Sequence, residues 1–388
     1  MKTHISNYVR AFSFMAILAI NGNCTNQSGS KAAPAPDRDK QTSKIQIALL
    51  LDTSNSMDGL IDQAKSQLWT IVNELAKARC GNDRPVLQIA LYEYGNDGLP
   101  ASEGYIRLVT PLTSDLDQIS KDLFELTTNG GDEFCGQVIE TALKRLDWSV
   151  SSNDMQLIFI AGNEPFTQGN VSYVQACELA KSKHVIVNTI FCGNFNEGIK
   201  TSWKRGADLT GGTYASIEQN RKTVYIPSPY DRRISELNQK LNNTYVPYGA
   251  YGSAKKANQV AQDENAQSVS EGTSVKRAVA KSSAAYKNDS WDLVDASKQS
   301  GFSVDNVAEE ALPAEMKGMS DAEKTSYIKE KSEEREKISQ EIQELNKKRK
   351  VYVTQQQAQD NSDNMLDAAM LNAIRQQLKA KNFTIEDL

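Results

Sequence analysis

Histidine is nearly absent from this chain: among 388 residues there are two, His4 and His184. A zinc site built on imidazoles is thereby excluded, and a Ser-His-Asp triad would have to use one of these two. No block of positive charge occurs either. The 44 basic residues are interspersed with 49 acidic ones, for a formal net charge of −5, which argues against nucleic acid as the main partner. Nor does any apolar run reach the roughly 20 residues needed to span a bilayer; the run nearest the start, "AFSFMAILAI" at 11–20, stops at ten.

Lys2 and Arg10 give that run a positive start, and Cys24 follows it closely, the layout of an export signal over residues 1–24. It resembles a bacterial lipoprotein signal, in which Cys24 becomes the acylated first residue. Asn23 stands where such signals usually carry a small residue, and plain signal-peptide cleavage is the other reading. Residues 25–43, "TNQSGSKAAPAPDRDKQTS", are small, polar and Pro-containing, as expected of a flexible tether holding a domain off a membrane. The resemblance implies a protein exported to the bacterial cell envelope and lipid-anchored there.

From Lys44 the texture becomes α/β. "IQIALLL" (45–51) is a continuous apolar run, the pattern of a central parallel strand buried on both faces. Leu60, Ala64, Leu68, Ile71, Val72 and Leu75 then repeat at helical spacing. "VLQIALYEYG" (86–95) and "GYIRLVTPL" (104–112) are strands joined by a short loop rich in Gly, Asn, Asp and Pro, which suits an antiparallel pair. A helix over 114–128 with Ser114 as its cap, a second over 138–146, strands at 155–162 and 184–193 with a helix between them, and a short strand at 213–217 complete the run. This order predicts a doubly wound, mostly parallel sheet with one antiparallel edge strand over residues 44–220. Residues 221–310 read as a closing helix followed by polar linker or loosely docked helix. Over 311–358 the capping box of Ser320 and Glu323 opens a long charged helix with a thin apolar line (Ile328, Ile338, Ile342, Leu345), either solvated or a weak coiled coil. Residues 359–388 form an amphipathic helix whose face of Leu366, Met370, Ile374 and Leu378 must pack on something.

Ligands in such sheets bind at the carboxyl ends of the strands, and the first strand ends in "ALLLDTSNSM" (48–57), an acid and two hydroxyls at alternate positions. The D-x-S-x-S motif of Asp52, Ser54 and Ser56, in this strand–turn–helix setting and element order, resembles the von Willebrand factor type A (VWA) domain. In that family the motif begins a metal-ion-dependent adhesion site, completed by a threonine from a second loop and an aspartate from a third. Here the second loop, "TTNGGDEFCG" (127–136), places Asp132 or Glu133 where the threonine belongs. The third, "IFIAGNEP" (158–165), has Gly162 at the aspartate position with Glu164 close by. Two readings stand. In one, Asp132 or Glu133 and Glu164 rebuild the site around Mg²⁺ or Ca²⁺, hard cations that take oxygen ligands. In the other the metal is lost, and Asp52, Ser54 and Ser56 only cap the first helix.

Outside the cytoplasm the four cysteines after Cys24 permit disulfides. Cys135 and Cys192 both fall at the ligand end of the sheet and are the favoured pair, while Cys177 reads as a buried thiol. Ser54 and Ser56 have no histidine or lysine in the motif to activate them, so no enzyme is indicated. The expected function is a non-enzymatic VWA protein of the cell envelope that binds a protein partner at the upper face of its sheet, through an acidic side chain of the partner if a metal is held. The alternative is an assembly component whose charged C-terminal helix makes the contacts.

Overall fold

The computed structural model describes residues 43–221, 225–356 and 366–386. The export signal, Cys24 and the tether up to residue 42 lie outside the described residues. Strand β1 (Lys44–Asp52) is central, as its unbroken apolar run requires. Its side chains alternate between two cores: Ile45, Ile47, Leu49 and Leu51 enter one, and Ala48 and Leu50 the other. β3 (Val86–Tyr94) lies parallel to it on one side and β5 (Met155–Gly162) on the other. β4 (Ile106–Thr113) closes one edge antiparallel to β3, while β6 (Ile186–Cys192) and β7 (Tyr214–Ile217) extend the other edge in parallel. The sheet order is therefore β4-β3-β1-β5-β6-β7, the mostly parallel sheet with one antiparallel edge strand that the sequence predicts. A short β2 (Ala78–Cys80) stands apart from it.

The two faces are covered differently. On one lie α3 (Cys135–Arg145), α4 (Tyr173–Ser182), α5 (Phe195–Lys200) and α6 (Trp203–Thr210). On the other lie α1 (Asp58–Leu75) and α2 (Leu116–Glu125). The cap of α2 is Asp115, whose carboxylate accepts the Gln118 N–H at 3.0 Å, and not Ser114 as the sequence suggests; a carboxylate is the stronger acceptor at a helix start. α1 is buried on nearly every side: Trp69, Ile71 and Val72 are covered as well as Leu60, Leu68 and Leu75.

What covers the outer side of α1 comes from the last third of the chain. The segment after 244, expected as linker or loosely docked helix, forms α8 (Gly252–Val269) and α9 (Glu271–Lys281) after α7 (Asp231–Asn242). Composition misleads here because the buried side chains include polar ones that satisfy each other. Arg277 is fully buried, lies over the Trp69 ring at 4.7 Å, and donates to Asp117 and to the Gln259 carbonyl, each at 2.8 Å. A one-turn α10 (Leu293–Ala296) precedes α11 (Asp321–Gln356). α11 is neither free in solvent nor paired with another copy among these residues. Its thin line of Ile328, Arg335, Ile338 and Ile342 is buried against its own chain, with Arg349 bonded to Asp231 of α7 at 2.7 Å. α12 (Leu366–Ala380) lays its apolar face on α1, and β8 (Phe383–Ile385) pairs antiparallel with β2.

Arg335 is what fixes α11. Its guanidinium donates to Asp292 (2.7 Å), Asp295 (3.0 Å) and the Thr244 carbonyl (2.7 Å), and lies 4.0 Å from the Tyr245 ring centre. Removing one partner of such a buried group strands the other's charge, which costs about 3–5 kcal/mol. Arg335→Ala is expected to lower the unfolding free energy in denaturant titrations by roughly that amount. Arg335→Lys should restore little of it, since an ammonium cannot reproduce the planar fork.

Candidate functional site

The loop after β1 is built on backbone bonds. The Thr53 N–H donates to the Tyr94 carbonyl (2.8 Å), the Ser54 N–H to Asp52 Oδ1 (2.7 Å), and the Asn129 N–H to the Thr53 carbonyl (3.0 Å). These lock Asp52 at the carboxyl end of β1, in register with Tyr94 of β3, and bring the second loop over it. Asp52 is fully buried. Its Oδ2 has no hydrogen-bond partner, and neither has the Oγ of buried Ser54.

These groups are not a helix cap. α1 is preceded by Met57 and receives no side-chain cap bond, so the reading in which Asp52, Ser54 and Ser56 serve only to cap it fails: Asp52 sits too far back along the strand, its carboxylate turned to Ser54.

Of the two candidates on the second loop, Glu133 is buried while Asp132 is exposed and forms no ion pair. Glu133 and Asp52 flank Gly95. A Cβ on that glycine would come within 2.7 Å of Glu133 Cγ and 3.0 Å of Asp52 Oδ1, and its φ of +79° also favours glycine. Gly162 is just as constrained, since a Cβ there would lie 2.9 Å from Asp52 Oδ2 and 2.5 Å from the Tyr94 hydroxyl. The position where the family carries its aspartate thus has no room for any side chain. Ser56 is exposed and its Oγ accepts from Asn163 Nδ2 at 3.1 Å. Glu164 is half-buried; its carbonyl accepts the Trp203 indole N–H (2.8 Å), and its charge reaches both Asp52 and Glu133. Among the described residues no three of His, Cys, Asp and Glu gather as a metal cluster. The acidic donors that are brought together are two, Asp52 and Glu133, with the Ser54 hydroxyl beside them.

The electrostatics follow from burial. Desolvation pushes the Asp52 carboxyl up to about 7, opposed by the bond from the Ser54 backbone N–H and aided by the charge on Glu164. Burial, and after it the charge of Asp52, pushes Glu133 up to about 8. The thiols nearby are held protonated: burial drives Cys135 and Cys192 far above the ordinary cysteine range.

The expected Cys135–Cys192 disulfide is not formed; Cys80, Cys135, Cys177 and Cys192 are all free. The reason is the pleat. Cys135 packs into the core under α3 and α4, near the Tyr94 hydroxyl (3.9 Å), whereas Cys192 turns to the core on the α1 face. Cys177 is a buried thiol. His184 stands at the start of β6, at the end of the sheet away from Asp52, and serves no nucleophile there.

Sequence reasoning passes over Thr53, Tyr94, Gly95 and Asn163. The signal for two of them is present in "YEYG", where a strand in register with β1 ends in a residue without a side chain.

Residues 46–198 match the model of the von Willebrand factor type A domain. Over this part the chain is similar to a VWA domain. Similar solved structures include BatB from Bacteroides thetaiotaomicron, with 15% identity over 45% of this chain and 90% of that one and a TM-score of 0.34. The SpRpn10 VWA domain shares 15% identity over 45% and 88%, at 0.35. Proximal thread matrix protein 1 from the mussel byssus, described with a zinc-occupied MIDAS motif, shares 16% over 45% and 42%, at 0.36. No curated protein matches the chain. No helix among the described residues is long and apolar enough to cross a membrane.

In the VWA domain free of cations, the two raised carboxyls bind protons more tightly folded than unfolded. Their contribution is therefore present near pH 4 and is lost as pH rises through the folded values of about 7 and 8. In EDTA the melting temperature is expected to be lower at about pH 8 than at about pH 5, and Asp52→Asn should flatten that slope. A slope identical in Asp52→Asn would show that Asp52 is not responsible.

Proposed function

We propose that this is a non-catalytic, exported binding protein of the cell envelope, anchored through acylated Cys24, whose VWA domain takes a protein partner at the carboxyl end of its sheet through a divalent cation. The observation that carries the reading is the pair of buried oxygens without a partner among the described residues, Asp52 Oδ2 and Ser54 Oγ, with a second buried acid, Glu133, across Gly95 from Asp52 Oδ1. A buried polar atom without a partner is rare and costly, and two carboxylates in one desolvated pocket repel. A cation relieves both.

The donor set suits a hard ion such as Mg²⁺ or Ca²⁺, because it is all oxygen and the adjacent thiols stay protonated. Asp52, Ser54 and Glu133 would hold the ion, with Ser56 and Glu164 at the rim; Asp132, exposed, would not. The chemistry the ion supplies is charge neutralisation and an attraction for a partner's carboxylate. The motif gives Ser54 neither a histidine nor a lysine to activate it, which supports binding over catalysis. The alternative role for the charged C-terminal helix has lost its motive, because α11 uses its apolar line on α7 and α9.

A cation bound only by the folded state adds about 2.7 kcal/mol at a hundredfold excess over Kd, or roughly 4 to 8 °C in Tm for a unit of this size. Millimolar Mg²⁺ or Ca²⁺ is expected to produce that rise in a thermal melt, Asp52→Ala to abolish it and Glu133→Gln to reduce it, with Asp132→Asn unchanged. A melt indifferent to cations and to EDTA would overturn the reading.

A further inference from the structure

The end of the sheet opposite Asp52 has a chemistry of its own. β1 begins there, and the Lys44 N–H donates to buried Asp154 at 2.8 Å, so the preceding chain joins the domain at this end. α4 and α12 both finish here, and helix carboxyl ends favour cations. Among the described residues Lys181, Lys183 and Lys379 are exposed and form no ion pair, while Lys381 donates to the Ser152 carbonyl at 3.4 Å. The loop joining α3 to β5 holds out Val150, the most exposed large hydrophobic side chain among the described residues. Between this loop and the end of α4 lies a cavity of about 350 Å³, lined by Trp148, Ser149, Val150, Lys183, His184 and Lys381. Asp154 is engaged by Lys44, which leaves Asp147 as the exposed acid of this loop. The opposite end carries Asp52, Asp132, Glu133 and Glu164, whereas at this end the four lysines outnumber the exposed acids of the loop and of α4, Asp147 and Glu178.

We propose that the basic end is a membrane-docking surface. Lys181, Lys183, Lys379 and Lys381 rest on an anionic bilayer, Val150 enters its interface, and lipid phosphates are taken into the cavity between Lys183 and Lys381. The argument rests on charge complementarity and on the point of attachment. Residues 25–43 can span no more than about 65 Å even fully extended, and the chain enters β1 at this end, so an anchor at Cys24 would hold the domain within reach of a bilayer. The inference therefore rests on the anchored reading above. It adds an orientation: with the basic end down, the acidic site points away from the membrane toward a partner.

Two arms separate the proposal from that reading. Labelled palmitate incorporated into the unmodified chain and lost in Cys24→Ser reports the anchor alone. The full chain carrying Cys24→Ser, which has no acyl group, is then sedimented with vesicles of phosphatidylcholine and with vesicles containing about a third phosphatidylglycerol. Binding is expected to the anionic vesicles only, and to fall as salt is raised. Lys183→Gln and Lys381→Gln should each weaken it about fivefold, the loss of one cation at a charged surface. Val150→Asp should weaken it further, and Lys200→Gln, on α5 at the other end, should leave it unchanged. Equal binding to both vesicle types, no binding, or binding unmoved by Lys183→Gln and Lys381→Gln would overturn the proposal. A normal thermal melt with its Mg²⁺ response retained shows that the variants are folded and that the Asp52 site is not what was lost.

Discussion

A helix that packs on a sheet normally keeps one side in water, and α1 does not. Leu60, Leu68, Ile71, Val72 and Leu75 form one stripe, while Trp69 on the other side is covered as well, with Gln63 and Gln67 beside it. Burying a large aromatic side chain is worth about 1.5–3 kcal/mol, and leaving the outer face of α1 bare would forfeit that of Trp69. The last third of the chain supplies the cover. α9 and α12 close over α1, α8 supports α9, and α11 braces α7 and α9 from outside. The matched domain ends at residue 198, but the core that α1 belongs to runs on to Phe383. Among the described residues, the domain and its C-terminal extension are thus one packed body.

This is also where the sequence was hardest to read. The sheet was legible because its signals are local: a strand buried on both faces is a continuous apolar run, and a polar, Gly- and Pro-containing loop between two such runs, residues 95–105 here, makes an antiparallel return. The region after 244 has the composition of a linker because its burial is achieved with paired charge. Arg277, Asp117, Asp263 and Lys281 are polar letters on a page and a closed network in space. Pairings between residues more than a hundred positions apart, such as Arg277 with Asp117, leave no periodic trace. The thin line on α11 was visible, but nothing in it told whether it faced water, another copy or its own chain.

The candidate site divides in the same way. Asp52, Ser54 and Ser56 were legible from their spacing, and Glu133 from its place in the loop. Which of Asp132 and Glu133 turns inward was not, since adjacent loop residues differ only in backbone direction. The missing aspartate is explained by volume: Gly162 lies against Asp52 and the Tyr94 hydroxyl, so an acid from the third loop could only come from further along, at Glu164. The failed disulfide is a matter of pleat parity, because Cys192 and its neighbour Phe191 must face opposite sides of β6.

One feature of β1 bears on mechanics. The strand enters at Lys44, at the end where the N-terminal segment attaches, and leaves at Asp52, where a partner would be held. A pull between the two would run along the strand's own axis. β1 is paired on both sides, from Lys44–Val86 to Asp52–Tyr94 with β3 and from Ile45–Met155 to Leu51–Ala161 with β5. Tension applied lengthwise loads all of these hydrogen bonds together in shear, whereas a force drawing the edge strand β4 sideways would part its bonds one after another. The fold therefore offers its strongest direction to a pull along β1, from Lys44 to Asp52.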